Sequence, residues 1–266
     1  MDGRARILPT CLGVLLWATM FSTPAYPADG ALETTSPAAA PIFVFAFVGG
    51  FVHPDDSRHT EVRLIQRLRE ERPNEIEGRV FRNRHHRDAY KLIRRRLDAN
   101  HDGTLSIEEK QSARILLFGH SWGASALVSL ARRLERDGIP VLLTVQVDSV
   151  AKPGQNDSII PANVRQAVNF YQPSGLVHGR AKITAADPNR TKILGNFQLT
   201  YKKDTVDCSG YPWYDLLFTR THTEIECDPK VWSQIESLIR DQLPATTTVP
   251  ESSPSSVAAA HSATRN

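Results

Sequence analysis

The chain contains 266 residues, of which 41% are hydrophobic and 23% are charged, and it carries a formal net charge of +3. With a mean hydropathy of −0.32, it has the composition of an ordinary soluble protein. A net charge this small favours no particular partner, and nothing in the balance of charges predicts a nucleic-acid-binding protein.

The first 28 residues have the layout of a secretory signal peptide. Arg4 and Arg6 precede the apolar run Ile7–Phe21, and small residues and prolines follow that run. The run is too short to span a bilayer comfortably, so a retained anchor is the weaker interpretation, and we expect no stable membrane span once the signal is removed. The chain is therefore predicted to be secreted or periplasmic.

The rest of the chain is predicted to form one domain between two unstructured ends. Residues 29–40 form a flexible polar leader. Residues 244–266 are rich in Ser, Thr, Pro and Ala and contain almost no large apolar side chain, which is typical of disorder. Residues 41–243 remain for the fold, and this is the size of a single domain.

The domain begins with a strand that is apolar on both faces, over residues 41–48. Such a run is typical of a central strand in a parallel sheet. Hydrophobic spacing then predicts three more elements: helix 60–71, strand 78–82 and helix 88–97. Strands that alternate with helices indicate an α/β domain.

A basic run, residues 82–87, lies between the short strand and the second helix. It contains no interleaved aromatic residue and no nucleic-acid-binding motif, so we interpret it as a solvated loop or the rim of a site. We expect no nucleic-acid partner. His85 and His86 could ligate a metal, but the sequence offers no third ligand nearby.

Residues 98–109 match the twelve-residue EF-hand calcium loop. Oxygen-bearing residues alternate along it, Gly103 occupies the sharp turn at position 6, and a glutamate at position 12 can bind bidentately. The predicted ligands are Asp98, Asn100, Asp102, Thr104 through its carbonyl, Ser106 and Glu109. Because the sequence has no second loop, we expect a structural Ca²⁺ site and not a sensor. The weaker interpretation is a turn that caps the next helix, and no organic cofactor is predicted.

A strand, a sharp turn and a helix follow the calcium loop. Residues 115–118 are a short apolar run, and from Ala124 onward apolar residues recur at helical spacing. Between them, residues 119–123 are Gly-His-Ser-Trp-Gly, a G-x-S-x-G motif. In this context the sequence resembles the α/β-hydrolase superfamily, in which the serine of the motif is a nucleophile on a strained strand-to-helix turn.

The resemblance implies a fold and a set of site residues. The fold is a mainly parallel sheet flanked by helices, in a reduced form because the antiparallel strands that often begin it are missing. Ser121 is the expected nucleophile, and His120, the variable residue of the motif, is expected to point away from it. The oxyanion hole is expected to use the backbone N–H of Trp122 and that of Gly50 or Phe51, which follow the first strand.

The same resemblance supplies the base and the acid. His222 lies ahead of the last predicted helix, in a loop, where the superfamily places its histidine. Asp148 ends the strand predicted over residues 140–147, and functional residues gather at the carboxyl ends of such strands. Asp187 is the alternative acid, and Asp157 is a more distant one.

The last third of the chain completes the predicted order. Its elements are strand 167–171, a mixed region of loops and short strands over 172–207, and a closing helix over 230–243. Of the three cysteines, Cys11 lies in the predicted signal, and an exported chain with two remaining cysteines favours a Cys208–Cys227 disulfide over two free thiols. The bridge would bracket His222.

These features predict a secreted serine hydrolase of the carboxylesterase or lipase kind. It would cleave a small-molecule or lipid ester by Ser-His-Asp acyl transfer and would carry a structural calcium site. Thioesterase or amidase chemistry also fits the motifs. The alternative from another class is a calcium-stabilised binding or scaffold protein whose hydrolase site is vestigial.

Overall fold

A six-stranded parallel sheet organises the computed structural model, which describes residues 42–202 and 206–245. The strands lie in the order β2-β1-β3-β4-β6-β8. Their bounds are β1 Ile42–Val48, β2 Ile76–Arg82, β3 Arg114–His120, β4 Val141–Val147, β6 Val164–Tyr171 and β8 Lys192–Gln198. The two-residue strands β5 (Ile159–Ile160) and β7 (Thr184–Ala185) form a separate parallel pair.

Helices occupy both faces of this sheet. Their bounds are α1 Thr60–Glu71, α2 His86–Leu97, α3 Ile107–Gln111, α4 Trp122–Arg136, α5 Trp213–Phe218, α6 Arg220–Cys227 and α7 Pro229–Arg240. All seven residues of β1 are buried, because alternate side chains enter two different layers. Phe43, Phe45 and Phe47 pack with α2 and α4, whereas Val44 and Ala46 pack with α1 and α7. The expected α/β architecture is thus confirmed.

The strand order brings the carboxyl ends of β1, β3 and β4 together, since these strands are neighbours and run in the same direction. The loops that leave these three ends carry the oxyanion-hole candidates Gly50 and Phe51, the serine motif and Asp148. In parallel α/β sheets this edge is where ligands bind. The fold therefore places three of the predicted site segments on one edge.

The prediction for residues 172–207 was incomplete. Residues 192–198 form β8, a seven-residue parallel strand at the edge of the main sheet, where only loops and short strands were expected. This strand is half-buried or exposed along its length, so the continuous apolar pattern of a buried strand is absent. Its edge position explains why hydrophobic periodicity did not find it.

The predicted signal, residues 1–28, and the leader, residues 29–40, lie outside the described residues, as does the tail from residue 246. Within the described ranges, no helix is both long enough and apolar enough to cross a membrane.

Candidate active site

Ser121 lies at the junction of β3 and α4 in a backbone conformation that few non-glycine residues adopt. Its φ is 57° and its ψ is −127°, and a conformation of this kind costs roughly 1–3 kcal/mol. The strain is held in place by the end of β4, because the Ser121 N–H donates to the Val147 carbonyl at 2.9 Å. Such a turn presents the hydroxyl at the edge of the sheet.

The two glycines of the motif are required by close backbone packing against β1. A Cβ on Gly123 would lie 2.0 Å from the Phe47 carbonyl oxygen, and a Cβ on Gly119 would lie 2.6 Å from the same atom. Both distances are shorter than any real carbon–oxygen contact. The turn therefore requires glycine at positions 119 and 123, since a side chain at either position would push α4 off the sheet.

His222 and Asp148 meet behind this turn. The imidazole Nδ1 lies 2.6 Å from the Asp148 Oδ2, and both side chains are almost fully removed from solvent. Asp148 also accepts hydrogen bonds from the backbone and side-chain amides of Gln172, at 3.1 and 2.8 Å, and from the Gly179 N–H at 2.7 Å. Four donors fix the carboxylate, so it can hold the imidazole in one orientation.

The pKa shifts of this pair follow from burial and from neighbouring charges. Burial alone would raise the pKa of Asp148, but the hydrogen bonds from His222 and Gln172 outweigh it, so the pKa lies below its usual value. Burial lowers the pKa of His222, and the charge of His120 lowers it further, against the opposing effect of Asp148. At neutral pH the carboxylate is charged and the imidazole is neutral, as a general base must be.

His222 lies in the short helix α6 and not in the loop that was predicted. A disulfide joins Cys208 to Cys227, the last residue of α6, with the two Cα atoms 5.6 Å apart. The helix is only eight residues long, too short to be stable by itself. The bridge and the buried His222–Asp148 contact therefore hold it against the domain.

A cavity of about 620 Å³ opens over these groups. Ser121 and His222 both line it, as do the three residues predicted to form the oxyanion hole, Gly50, Phe51 and Trp122. Trp122 is the first residue of α4, so its N–H has no intrahelical acceptor. Within the described residues, the N–H groups of Gly50 and Phe51 likewise donate to no backbone carbonyl. The cavity has room for an ester of modest size.

His120, for which the sequence predicts no role in catalysis, packs directly against His222. The two rings lie 4.4 Å apart between centroids. His120 Nε2 lies 3.1 Å from the His222 carbonyl oxygen, and its Nδ1 lies 3.2 Å from a Glu226 carboxylate oxygen. Both partners can only accept, so both ring nitrogens must donate, and His120 is an imidazolium.

A buried carboxylate on α6 maintains this cation. The Glu226 carboxylate outweighs the burial that would lower the pKa of His120, and the pKa is raised to about 9. The second oxygen of Glu226 lies 2.5 Å from His59 Nδ1. The neighbouring Glu61 is fully buried without a hydrogen-bond partner, and burial and the Glu226 charge raise its pKa to about 8. His59, Glu61 and Glu226 have ligand atoms within 4.8 Å of one another, close enough to ligate one metal ion.

The predicted calcium loop connects α2 to the short helix α3. Its acidic side chains turn inward and accept backbone N–H groups of the loop itself. Asp98 accepts from Asp102 and Gly103 at 3.1 and 3.0 Å, and Glu109 accepts from Ala99 and Ser106 at 2.8 and 2.9 Å. Gly103 has a φ of 83° at the sharp turn. Carboxylate oxygens from both ends of the loop thus face its interior, and the Ca²⁺ site stays a prediction.

Other candidates lie apart from the site. Asp187 accepts the backbone N–H of Asn189 at 2.9 Å within the loop before β8. Asp157 is buried, but it pairs with Ser149 at 2.6 Å and with Arg180 at 2.6 Å. Neither aspartate contacts His222.

No family model and no curated protein matches this chain. Three solved structures show a likeness in fold at low identity. A cutinase-like protein from Cryptococcus sp. is 12% identical, with 77% of this chain and 97% of that chain covered and a TM-score of 0.39. The RedJ thioesterase of prodiginine biosynthesis in Streptomyces coelicolor is 12% identical, with 85% and 98% covered and a TM-score of 0.37. A dienelactone hydrolase-like promiscuous phosphotriesterase from metagenomic libraries is 14% identical, with 77% and 88% covered and a TM-score of 0.34.

Likenesses with TM-scores this low carry no argument, so the fold is described from the chain's own topology. The parallel strand order, the strained serine between β3 and α4, and the helices on both faces identify the fold as a reduced α/β-hydrolase fold.

Proposed function

We propose that this chain is a secreted serine hydrolase that cleaves an ester by acyl transfer. One observation carries the proposal. The buried His222–Asp148 hydrogen bond of 2.6 Å lies against the same cavity as the strained Ser121. A positioned imidazole, an orienting carboxylate and a hydroxyl on a strained turn are the parts that nucleophilic catalysis needs.

In the proposed reaction, Ser121 Oγ attacks the ester carbonyl carbon while His222 Nε2 takes the hydroxyl proton. Asp148 holds Nδ1–H and stabilises the imidazolium that forms. The N–H of Trp122 and that of Gly50 or Phe51 donate to the oxyanion of the tetrahedral intermediate. The imidazolium then protonates the leaving alcohol, leaving an acyl-serine.

Deacylation repeats these steps with water as the nucleophile. His222 takes a proton from the water as the water oxygen attacks the acyl carbonyl carbon. His222 then returns the proton to the Ser121 oxygen as the carboxylic acid leaves. The cavity of about 620 Å³ and its aromatic rim favour a small or medium ester. Thioesters and amides would pass through the same intermediate.

We further propose that residues 98–109 bind Ca²⁺ as a structural site. Asp98, Asn100, Asp102 and Glu109 would ligate through side-chain oxygens and Thr104 through its carbonyl, with Ser106 contributing directly or through water. The ion would offset the repulsion among the acidic side chains of an exposed loop. Extracellular calcium is plentiful, and the disulfide is consistent with export.

The test is hydrolysis of 4-nitrophenyl acetate and butyrate by the wild type and by Ser121→Ala. We expect kcat/KM to fall by roughly 10³-fold or more, because the residual rate comes from the oxyanion hole and binding alone. A fluorophosphonate probe should label the wild type and not the variant, and circular dichroism should be the same for both. Absence of labelling in folded, calcium-loaded wild type would favour the scaffold alternative.

A further inference from the structure

A second, smaller cavity adjoins the active-site cavity on the side of the oxyanion hole. It has a volume of about 120 Å³ and shares Gly50, Phe51 and Trp122 with the larger one. Its remaining lining residues are Arg82, Asn83, Arg84 and Lys152. It begins at the proposed oxyanion donors and ends among three cationic side chains, and no acidic residue lines it.

No carboxylate of the described residues pairs with any of these three cations, whereas some other basic residues of the domain are paired. Arg240, for comparison, pairs with Glu71 and with Glu236. Within the described residues, Arg82, Arg84 and Lys152 make no ion pair. Positive charge is therefore concentrated beside the active site without internal compensation.

Asn83 fixes part of this charge relative to the oxyanion hole. Its side chain is almost fully buried. Its Nδ2 donates to the Gly50 carbonyl at 2.6 Å, and its Oδ1 accepts from Lys152 Nζ at 2.5 Å. Lys152 Nζ also lies 5.0 Å from the centre of the Trp122 ring. An ammonium has three donors, so after the bond to Asn83 Lys152 keeps two for a ligand.

The size and chemistry of the cavity limit its occupant. At ~30 Å³ per water molecule, it holds about four waters, enough for one compact charged group and too little for a long acyl chain. Arginine guanidinium groups bind carboxylate and phosphate oxygens in pairs, and a lysine supplies a point charge. Burial and the charge of Arg84 lower the pKa of Lys152, and an anion bound between them would relieve that repulsion.

We propose that this cavity is a subsite for an anionic group of the substrate, so that the enzyme prefers esters that carry a carboxylate or a phosphate close to the scissile bond. The inference rests on the proposed hydrolase function and names its substrate class. The anion would lie between Arg84, Arg82 and Lys152, with the ester carbonyl at the Gly50–Trp122 side.

Two pairs of esters test the proposal and locate the charge. On the acyl side, 4-nitrophenyl hemisuccinate is compared with 4-nitrophenyl butyrate. On the alcohol side, 4-acetoxybenzoate and 4-acetoxyphenyl phosphate are compared with phenyl acetate. We expect the wild type to favour the anionic member of at least one pair by about tenfold in kcat/KM, and added salt should reduce this ratio.

Arg84→Gln and Lys152→Met should each bring the anionic-to-neutral ratio of kcat/KM several-fold toward one. Arg165→Gln is the control, because it removes an exposed charge near the amino end of β6, away from the carboxyl ends of the strands where the site lies. This variant should leave the ratio unchanged. Because Arg84 is exposed, its variant should fold even if Lys152→Met does not. Isothermal titration of Ser121→Ala with succinate and inorganic phosphate gives a readout without turnover, and binding should weaken in the Arg84→Gln background.

The outcomes separate the two proposals. Ser121-dependent hydrolysis of the neutral esters with equal rates on the anionic ones would overturn the subsite and leave the hydrolase function standing. Unchanged ratios in both charge-removing variants would do the same. Failure of every ester, neutral or anionic, would overturn the hydrolase function and the subsite together.

Discussion

The proposed active site and the predicted calcium loop are assembled from opposite kinds of contact. His222 and Asp148 are 74 residues apart in the chain and meet in a buried environment. The side-chain hydrogen bonds among residues 98–109 are exposed and join residues at most ten positions apart. The proposed active site depends on the packing of the whole sheet, whereas the hydrogen bonds of the loop join residues of one short segment. Substitutions in the two regions should therefore have different effects on activity and on stability.

The largest expected effect concerns the buried pair. Asp148→Asn keeps the shape of the side chain but removes the charge that orients and stabilises the imidazole, so kcat should fall by about 10⁴-fold. The measurement is steady-state hydrolysis of 4-nitrophenyl butyrate. Asp187→Asn, at the alternative acid, is the matched control and should retain activity; the reverse result would exchange the two assignments.

The second-largest expected effect concerns the disulfide, which links the His222 helix to the rest of the domain. Its removal should lower the stability of the protein. Replacing Cys208 and Cys227 together by Ser opens a loop with a sequence separation of 19. Removing a bridge of this length should lower the free energy of unfolding by about 3 kcal/mol. Urea denaturation measures it. A loss of activity with unchanged unfolding would show that the bridge acts on the helix alone.

Calcium should stabilise the loop without involving the buried pair. At 100 times its dissociation constant, a ligand that binds only the folded state adds ~2.7 kcal/mol of stability, so millimolar Ca²⁺ should raise the melting temperature by several degrees. Glu109→Gln should abolish most of this increase, and the neighbouring exposed Glu108→Gln should retain it. Equal responses in both variants, or no response in the wild type, would remove the calcium site.

The smallest effect concerns the pH dependence of catalysis. His222 must be neutral to act as a base, so kcat/KM falls as the pH drops through its pKa, and this pKa is lowered by burial and by His120. His120→Gln removes the adjacent cation, so the acidic limb of the profile should move to higher pH. A limb that stays in place would show that His120 contributes packing only.

The same cation affects stability in the opposite pH range. The folded-state pKa of His120, about 9, exceeds its ordinary value of 6.5, so its contribution is complete below pH 6.5 and is lost as the pH rises through about 9. Glu61, with a pKa raised to about 8, acts in the same direction. The free energy of unfolding should decline across this window in the wild type, and the decline should be shallower in His120→Gln.

The sequence predicted what local patterns encode. The glycines at 119 and 123, the apolar residues of β1 and the bounds of α1 all follow from short-range sterics and hydrophobic spacing. The structure differs from the sequence prediction at β8, because an exposed edge strand has only a weak hydrophobic pattern. It also differs at His222, because the predicted loop is the short helix α6. The stacking of His120 on His222 depends on how α6 packs over β3, and no local signal specifies it. For the buried titratable cluster of His59, Glu61 and Glu226, the nearest sequence signal is the His59-x-Glu61 pair at the start of α1.

The bridge between Cys208 and Cys227 also determines when the His222 helix becomes fully fastened to the domain. Disulfides persist mainly in oxidising surroundings, so, under the proposed export, the segment that bears the imidazole would be fully fastened only after the polypeptide has left the reducing compartment where it is made. A newly synthesised copy that remained inside the cell would hold its imidazole on a helix that only the His222–Asp148 contact and packing fasten to the domain. Oxidation of the two thiols would then be the last step in assembling the proposed active site.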